Sequence, residues 1–139
     1  MIRGAAAGAV AALAWAAAEP ALGRLFRVRY SDVRLLGAAV THGGLWAPVG
    51  LAVHAANGAA FGAAFERLGL RGPLEGLAAA QAENIALWPG MAVVDRVHPD
   101  RRSGAWPPLL RNGRVFAYET AAHAIFGVVL GALVRGDRR

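Results

Sequence analysis

The stretch from Leu35 to Phe65 contains no Asp, Glu, Lys or Arg, which restricts the settings in which this chain can fold. Comparable apolar stretches occupy residues 4–18, 74–94 and 113–134. A helix needs about 20 mainly apolar residues to cross a bilayer. The sequence therefore predicts one transmembrane domain over residues 1–139, with spans at about 2–22, 45–66, 74–94 and 113–134.

The apolar residues are mainly Ala, with abundant Gly, rather than Leu or Ile. They make up 56% of the chain, and the mean hydropathy is only +0.38. Such helices partition weakly into lipid one by one, so they need one another. We expect an all-α, integral membrane four-helix bundle. A second interpretation concerns the N-terminus, where Ala16, Ala17 and Ala18 before Glu19 also resemble the cleavage site of a signal peptide.

The charged residues indicate a partner and a location. All fifteen cationic side chains are Arg, and the net charge is +6. These Arg residues cluster between the apolar runs, which favours anionic lipid headgroups over nucleic acid as the partner. The Ala, Gly and Arg usage is typical of a GC-rich bacterium, so we expect a multi-pass protein of the bacterial inner (plasma) membrane. Cys is absent, which excludes disulfides and thiol chemistry.

Two Arg-rich segments would lie on one side of the membrane. Residues 24–34 are expected at the membrane surface, with Ser31 or Asp32 capping a helix. Residues 95–114 are expected to form a solvated loop that includes Asp95, Arg96 and His98. Glu19 is interpreted as a boundary residue. The positive-inside tendency places these loops in the cytoplasm and the termini outside.

A repeated phrase suggests a duplication. His54, Gly58 and Gly62 share the spacing H-x-x-x-G-x-x-x-G with His123, Gly127 and Gly131, 69 residues later. Pro20 and Pro89 align at the same shift. The chain would then contain two parallel halves of two spans each, residues 1–72 and 73–139. Chance similarity between two helices under the same packing rules is the alternative.

Small residues four apart allow helix backbones to approach closely in lipid. We therefore predict helix packing, within the bundle, in a homo-oligomer or against a membrane protein partner. A Gly-lined path for a substrate is the alternative. The packing residues are Gly4, Gly8, Gly58, Gly62, Gly127 and Gly131.

Polar residues from three predicted spans should lie at similar depth near the bilayer centre. Such residues are costly there and are kept when they are paired, protonated or functional. The predicted midplane cluster consists of His54, Asn57, Glu83, Asn84, Glu119 and His123.

Three functions are consistent with this cluster. The first is the handling of an ion, a proton or a small solute. The second is a structural or accessory membrane subunit, in which the polar groups set helix packing. The third is a metal or haem redox protein, with His54, Glu83, Glu119 and His123 as possible ligands and the cofactor unknown. No nucleophile or phosphate-loop pattern occurs, so the sequence does not favour an enzyme.

Overall fold

The computed structural model describes residues 2–134, and helices are the regular secondary structure of this part of the chain, which has no strands. Met1 and the polar tail 135–139, which the sequence places beyond the fourth span, lie outside the described residues. The helices are α1 (Ile2–Phe26), α2 (Asp32–Val40), α3 (Trp46–Arg67), α4 (Pro73–Leu87), α5 (Met91–Val97), α6 (Pro99–Arg102) and α7 (Gly113–Leu133).

The third apolar run does not form one straight helix. A single 3₁₀ turn, Trp88–Gly90, separates α4 from α5. Pro89 lies in this turn, and proline cannot donate the backbone hydrogen bond that an α-helix needs at that position. Pro20, by contrast, lies inside α1, which continues to Phe26.

The four long helices α1, α3, α4 and α7 surround a groove. Helix α1 packs against both α3 and α7, α4 packs against α7, and α2 packs against α3. Within the described chain, α3 and α4 are not packed directly on each other. The gap between them, closed beneath by α1 and α7, positions the candidate site.

Backbone contacts at glycines hold the two helix pairs together. Gly4 and Gly8 of α1 lie against Gly58 and Gly62 of α3, where a Cβ on Gly8 would collide with the carbonyl of Gly58. Because no side chain intervenes, the backbones gain dispersion contacts over their whole crossing.

The pair α4 and α7 uses the same kind of contact. Gly127 and Gly131 lie against Gly72 and Gly76, two glycines that the sequence analysis did not include among the packing residues. Helix α2 meets α3 in a similar way, with Gly37 against Gly50. The predicted glycines therefore pack within one chain in this structure.

The prediction that 95–114 is a solvated loop is wrong for Asp95 and His98, whereas Arg96 is exposed. Asp95 accepts hydrogen bonds from the backbone N–H groups of Leu109 and Leu110, at 2.8 and 3.1 Å. His98 is buried and stacks on Trp106 with ring centroids 4.5 Å apart. These contacts fold the loop back over the ends of the helices.

An ion pair ties this loop to α2. Arg34 donates from Nε and Nη2 to the two oxygens of Asp100, at 2.6 and 2.8 Å. The bond from Arg34 and its nearby charge hold the pKa of Asp100 below its usual range. The bidentate geometry fixes the orientation of both side chains.

Two helices are long and apolar enough to cross a membrane, Arg3–Phe26 and Gly113–Leu133. The core helices of soluble proteins can share these properties. Many large apolar side chains also lie on the outer surface, including Leu25, Leu68, Leu74 and Ile85, each more than 60% exposed. This number of exposed large apolar side chains is typical of a protein that contacts lipid or a partner.

Replacing a packed glycine should loosen one helix pair. We expect Gly58→Ala and Gly127→Ala each to lower the free energy of unfolding by roughly 1–3 kcal/mol, because the added methyl group forces the backbones apart. Thermal unfolding in detergent, followed by circular dichroism, measures this change. Gly90→Ala is the matched control, since a Cβ there meets nothing within 4 Å. Equal effects of all three changes would contradict the packing role.

Candidate functional site

The groove between α3 and α4 contains a cavity of about 330 Å³. Side chains from α1, α2, α3, α4, α5 and α7 line it. All six residues of the predicted midplane cluster are among them, namely His54, Asn57, Glu83, Asn84, Glu119 and His123. The structure thus brings together groups that are up to 69 residues apart in sequence.

Trp15 connects the two imidazoles. Its ring centroid lies 4.9 Å from that of His54 and 4.5 Å from that of His123. Trp15 is buried, and its Nε1 has no hydrogen-bond partner among the described residues. Trp15 is not among the predicted site residues, because in sequence a lone Trp in an Ala-rich helix looks like an ordinary packing residue.

The ring of His123 is oriented by its own helix. Its Nδ1 lies 2.8 Å from the backbone carbonyl of Glu119, one turn earlier. A carbonyl only accepts, so Nδ1 carries the hydrogen and Nε2 is the acceptor in the neutral ring. The same Nδ1 is 3.4 Å from Oε2 of the Glu119 side chain. The Nδ1 side of His123 therefore faces both the backbone carbonyl and the carboxyl group of Glu119.

His54 is held less firmly. Its Nε2 is buried without a partner in hydrogen-bond geometry, although the backbone carbonyl of Ala12 lies near the ring. A buried imidazole nitrogen without a partner is destabilising, unless a ligand or a water molecule binds it. This atom therefore marks a position that a bound molecule can satisfy.

Two neighbours on α4 behave differently. Asn84 is buried, and its Nδ2 is 3.4 Å from both Thr120 Oγ1 and Gln81 Oε1. Glu83 is only partly buried and makes no hydrogen bond within the described chain. Asn57 lies at the exposed rim. Asn84 is thus tied to α7, whereas the carboxylate of Glu83 is available to the cavity.

Carboxyl groups from three elements meet at the inner end of the cavity. Asp32 of α2 and Glu119 of α7 lie within side-chain hydrogen-bonding reach, and both are buried. Asp32 Oδ2 and Glu119 Oε1 have no other partner within residues 2–134. Two ionised carboxylates this close in a buried site repel each other strongly, which favours protonation of one of them.

Glu19 completes this group, which we call the carboxyl cluster: Glu19, Asp32 and Glu119. Glu19 is buried, contrary to its interpretation as a boundary residue, and accepts from the N–H groups of Asp32 and Val33 at 2.7 and 3.3 Å. Ser31, not Asp32, caps α2, by accepting from the N–H of Arg34. Glu19 thus satisfies free donors at the start of α2.

Two tyrosines surround the cluster. The hydroxyl of Tyr30 donates to Asp32 Oδ1 at 2.8 Å, and the buried hydroxyl of Tyr118 lies near Glu19. Burial, followed by the negative charges of Asp32 and Glu119, raises the pKa of Tyr30 well above its usual value. Residues 24–34 therefore do not lie simply on the membrane surface: Tyr30 and Asp32 are core residues.

A second cavity, of about 890 Å³, lies on the other side of the cluster. Glu19, Tyr30 and Ser31 line it, together with Arg24 and Arg29 of the Arg-rich segment. Asp32 and Glu119 line the first cavity instead. The carboxyl cluster therefore separates the groove from the Arg-rich end of the molecule.

The site does not fit the metal or haem ligands considered above. Among residues 2–134, no three His, Cys, Asp or Glu side chains are arranged to hold a metal ion. A haem bridging His54 and His123 would have to displace Trp15, which contacts both rings. The four candidate ligands share a cavity, but not a coordination geometry.

Comparison of the chain with protein-family models, curated proteins and solved structures found no match.

The carboxyl cluster should make stability depend on pH. Burial, followed by the charges of Glu119 and Glu19, raises the pKa of Asp32 well above its usual value. The folded state therefore keeps this proton at pH values where the unfolded state loses it. Stability from this group is complete below a pH of about 4 and falls as the pH rises towards the folded-state pKa. We expect Asp32→Asn to flatten this decline, as measured by thermal unfolding in detergent across pH.

Asp100→Asn provides the opposite control. Its pKa is lowered by Arg34, so the ionised form is the one that stabilises the fold. This change should destabilise the protein at neutral pH by roughly 1.5–3 kcal/mol, through the loss of charged hydrogen bonds. Steeper pH dependence in Asp32→Asn would contradict the shared proton.

Proposed function

We propose that this chain is a multi-pass membrane protein with four spans, formed by α1, α3, α4 with α5, and α7. Two long apolar helices, the exposed Leu and Ile side chains and the Gly-mediated crossings support this assignment. Helix α3 contains the polar residues His54 and Asn57, and α4 has 15 residues, which is short for a membrane span. Neither helix therefore has by itself the length and hydropathy of a span. Lipid is the expected solvent, with anionic headgroups at the Arg-rich end and the bacterial inner membrane as the location.

The proposal includes a 2+2 internal repeat. The contact of Gly8 with Gly58 resembles that of Gly76 with Gly127, and Gly4 with Gly62 resembles Gly72 with Gly131. The second helix of each pair is related by a shift of 69 residues, and the first helix by 68. These matched glycine contacts support a duplication of one helix pair more strongly than the alanines that also coincide at this shift, because Ala-rich segments match one another easily.

We infer that the cavity binds and releases a proton while handling a small solute. The observation that carries this inference is the pair of unpartnered, buried carboxyl oxygens, Asp32 Oδ2 and Glu119 Oε1, next to a cavity. His123 of α7 faces this pair. Glu19 of α1 and Tyr30 of the loop after α1 also face it, and Tyr118 of α7 lies beside Glu19.

The proton has a physical route. A carboxyl pair sharing one proton can release it when a cation enters the cavity, because the positive charge stabilises the ionised form. Because the carboxyl cluster lies between two cavities, the proton can reach it from the groove or from the Arg-rich end. A purely structural network would leave fewer buried polar atoms unpartnered.

The four-span topology predicts opposite labelling at the two ends. The chain lacks cysteine, so single cysteines report without interference. Arg71→Cys lies in the turn between α3 and α4, and Ser103→Cys lies beyond α5, at the other end. A membrane-impermeant maleimide should label Arg71→Cys in intact cells and Ser103→Cys only after permeabilisation. Labelling of both from one side, or release of the protein by carbonate, would contradict the topology.

The shared proton should give a spectroscopic signal. In the purified protein, infrared spectroscopy should detect a protonated carboxyl group at neutral pH, where exposed carboxyl groups are ionised. Glu119→Gln should remove or shift this signal because it breaks the pair. Glu75→Gln is the matched control, since Glu75 is exposed at the start of α4. The proposed function fails if the wild-type protein shows no protonated carboxyl group.

A further inference from the structure

The charges that line the cavity indicate what it can bind. The chain has fifteen cationic side chains and a net charge of +6, yet no Arg lines this cavity. Its carboxyl side chains are Asp32, Glu83 and Glu119. Inside a low-dielectric site, this arrangement repels anions and favours a cation.

Glu83 differs from the other two carboxyl groups. Asp32 and Glu119 are fully buried and engage each other, Tyr30 and His123. Glu83 is partly buried, lines the cavity and forms no hydrogen bond within the described residues. Among the described residues, the only charged neighbour of Glu83 is the imidazole of His123. A half-buried carboxylate without a hydrogen bond lacks its full hydration, so a cation that enters the groove gains a strong interaction there.

The remaining wall is aromatic and apolar. Trp15 and Phe61 both contact Phe126, with ring centroids 6.3 and 5.3 Å apart, and all three line the cavity. Trp88 also lines it, and its ring packs edge-on against Phe116 with centroids 4.8 Å apart. Aromatic faces beside a carboxylate are the groups that recognise organic ammonium ions.

A hydrated metal ion fits this wall poorly. Hard cations require six or more oxygen ligands, whereas the groove offers mainly rings and aliphatic carbons. The volume of about 330 Å³ lies at the lower end of the range for small-molecule sites, roughly 300–1,000 Å³. These observations point to a small, hydrophobic ligand with one positive charge.

We propose that the groove between α3 and α4 binds a small organic monocation, with Glu83 as its counter-charge and Trp15 and Trp88 as aromatic walls. This inference rests on the proposed function, because it names the class of solute that the same cavity takes.

The experiment measures binding to the purified, detergent-solubilised protein by calorimetry. The probe is benzyltrimethylammonium, and neopentylbenzene is its uncharged isostere of nearly the same shape. We expect saturable binding of the cation, and binding of the isostere to be weaker by about tenfold or more, because only the cation pairs with a carboxylate. Equal affinity for the two probes, or no saturable binding of the cation, overturns the proposal.

Variants then identify the counter-charge. Glu83→Gln, which keeps the shape, should weaken cation binding by about tenfold or more, and Glu75→Gln should leave it unchanged. Wild-type affinity in Glu83→Gln overturns the role of Glu83. If Glu83→Gln fails to fold, Trp88→Leu tests the aromatic wall, and the two probes still decide the charge preference on the wild-type protein.

The two proposals can fail separately. The infrared signal of the Asp32 and Glu119 pair requires no added ligand, whereas the calorimetry reports on Glu83. A protonated carboxyl pair without cation binding overturns this inference and leaves the proposed function in place. Cation binding without a protonated pair overturns the proton-binding role and leaves the cation site.

Discussion

The close approach of helix backbones at glycine positions shapes the whole molecule. Gly8 against Gly58 and Gly76 against Gly127 bring α1 onto α3 and α4 onto α7 with no side chain between them. Two tightly packed pairs, joined along α1 and α7, leave α3 and α4 apart. The groove therefore results from where the glycines lie, because α3 and α4 have no such contact with each other.

The second organising feature is a group of acidic side chains that the fold places out of water. Burial of carboxyl groups is unfavourable unless they are protonated or satisfied by donors. Glu19 is satisfied by the start of α2, whereas Asp32 Oδ2 and Glu119 Oε1 have no hydrogen-bond partner among the described residues. One carboxyl group is thus structural, and the pair next to it has the properties of a titratable site.

These two features together connect the packing to the proposed activity. The glycine contacts fix the helices that carry His54, Glu83 and His123, and α2 brings Asp32 to the same cavity. Aromatic rings fill the space around the polar groups and limit access by water. A solute with apolar surface and one positive charge is complementary to such a wall, and the nearby carboxyl pair can respond to its charge.

The sequence determined the all-helical class and the positions of the long helices, because long runs rich in Ala, Gly, Leu and Val are local signals. Spacing by four also placed His54, Gly58 and Gly62 on one side of α3. The same reasoning grouped six of the polar residues that line the cavity, but not Asp32. Membrane insertion, duplication and function remain proposals, since periodicity reports on the shape of helices rather than on their surroundings.

Only the tertiary structure decided which groups meet. Trp15 between the two imidazoles, Asp32 beside Glu119 and the burial of His98 depend on contacts between distant segments. The segment 95–114 looked like a solvated loop because its charges are paired by partners that spacing does not reveal, such as Arg34 with Asp100. Local sequence sets where a helix begins and ends, whereas the burial and pairing of a charge are set by the whole fold.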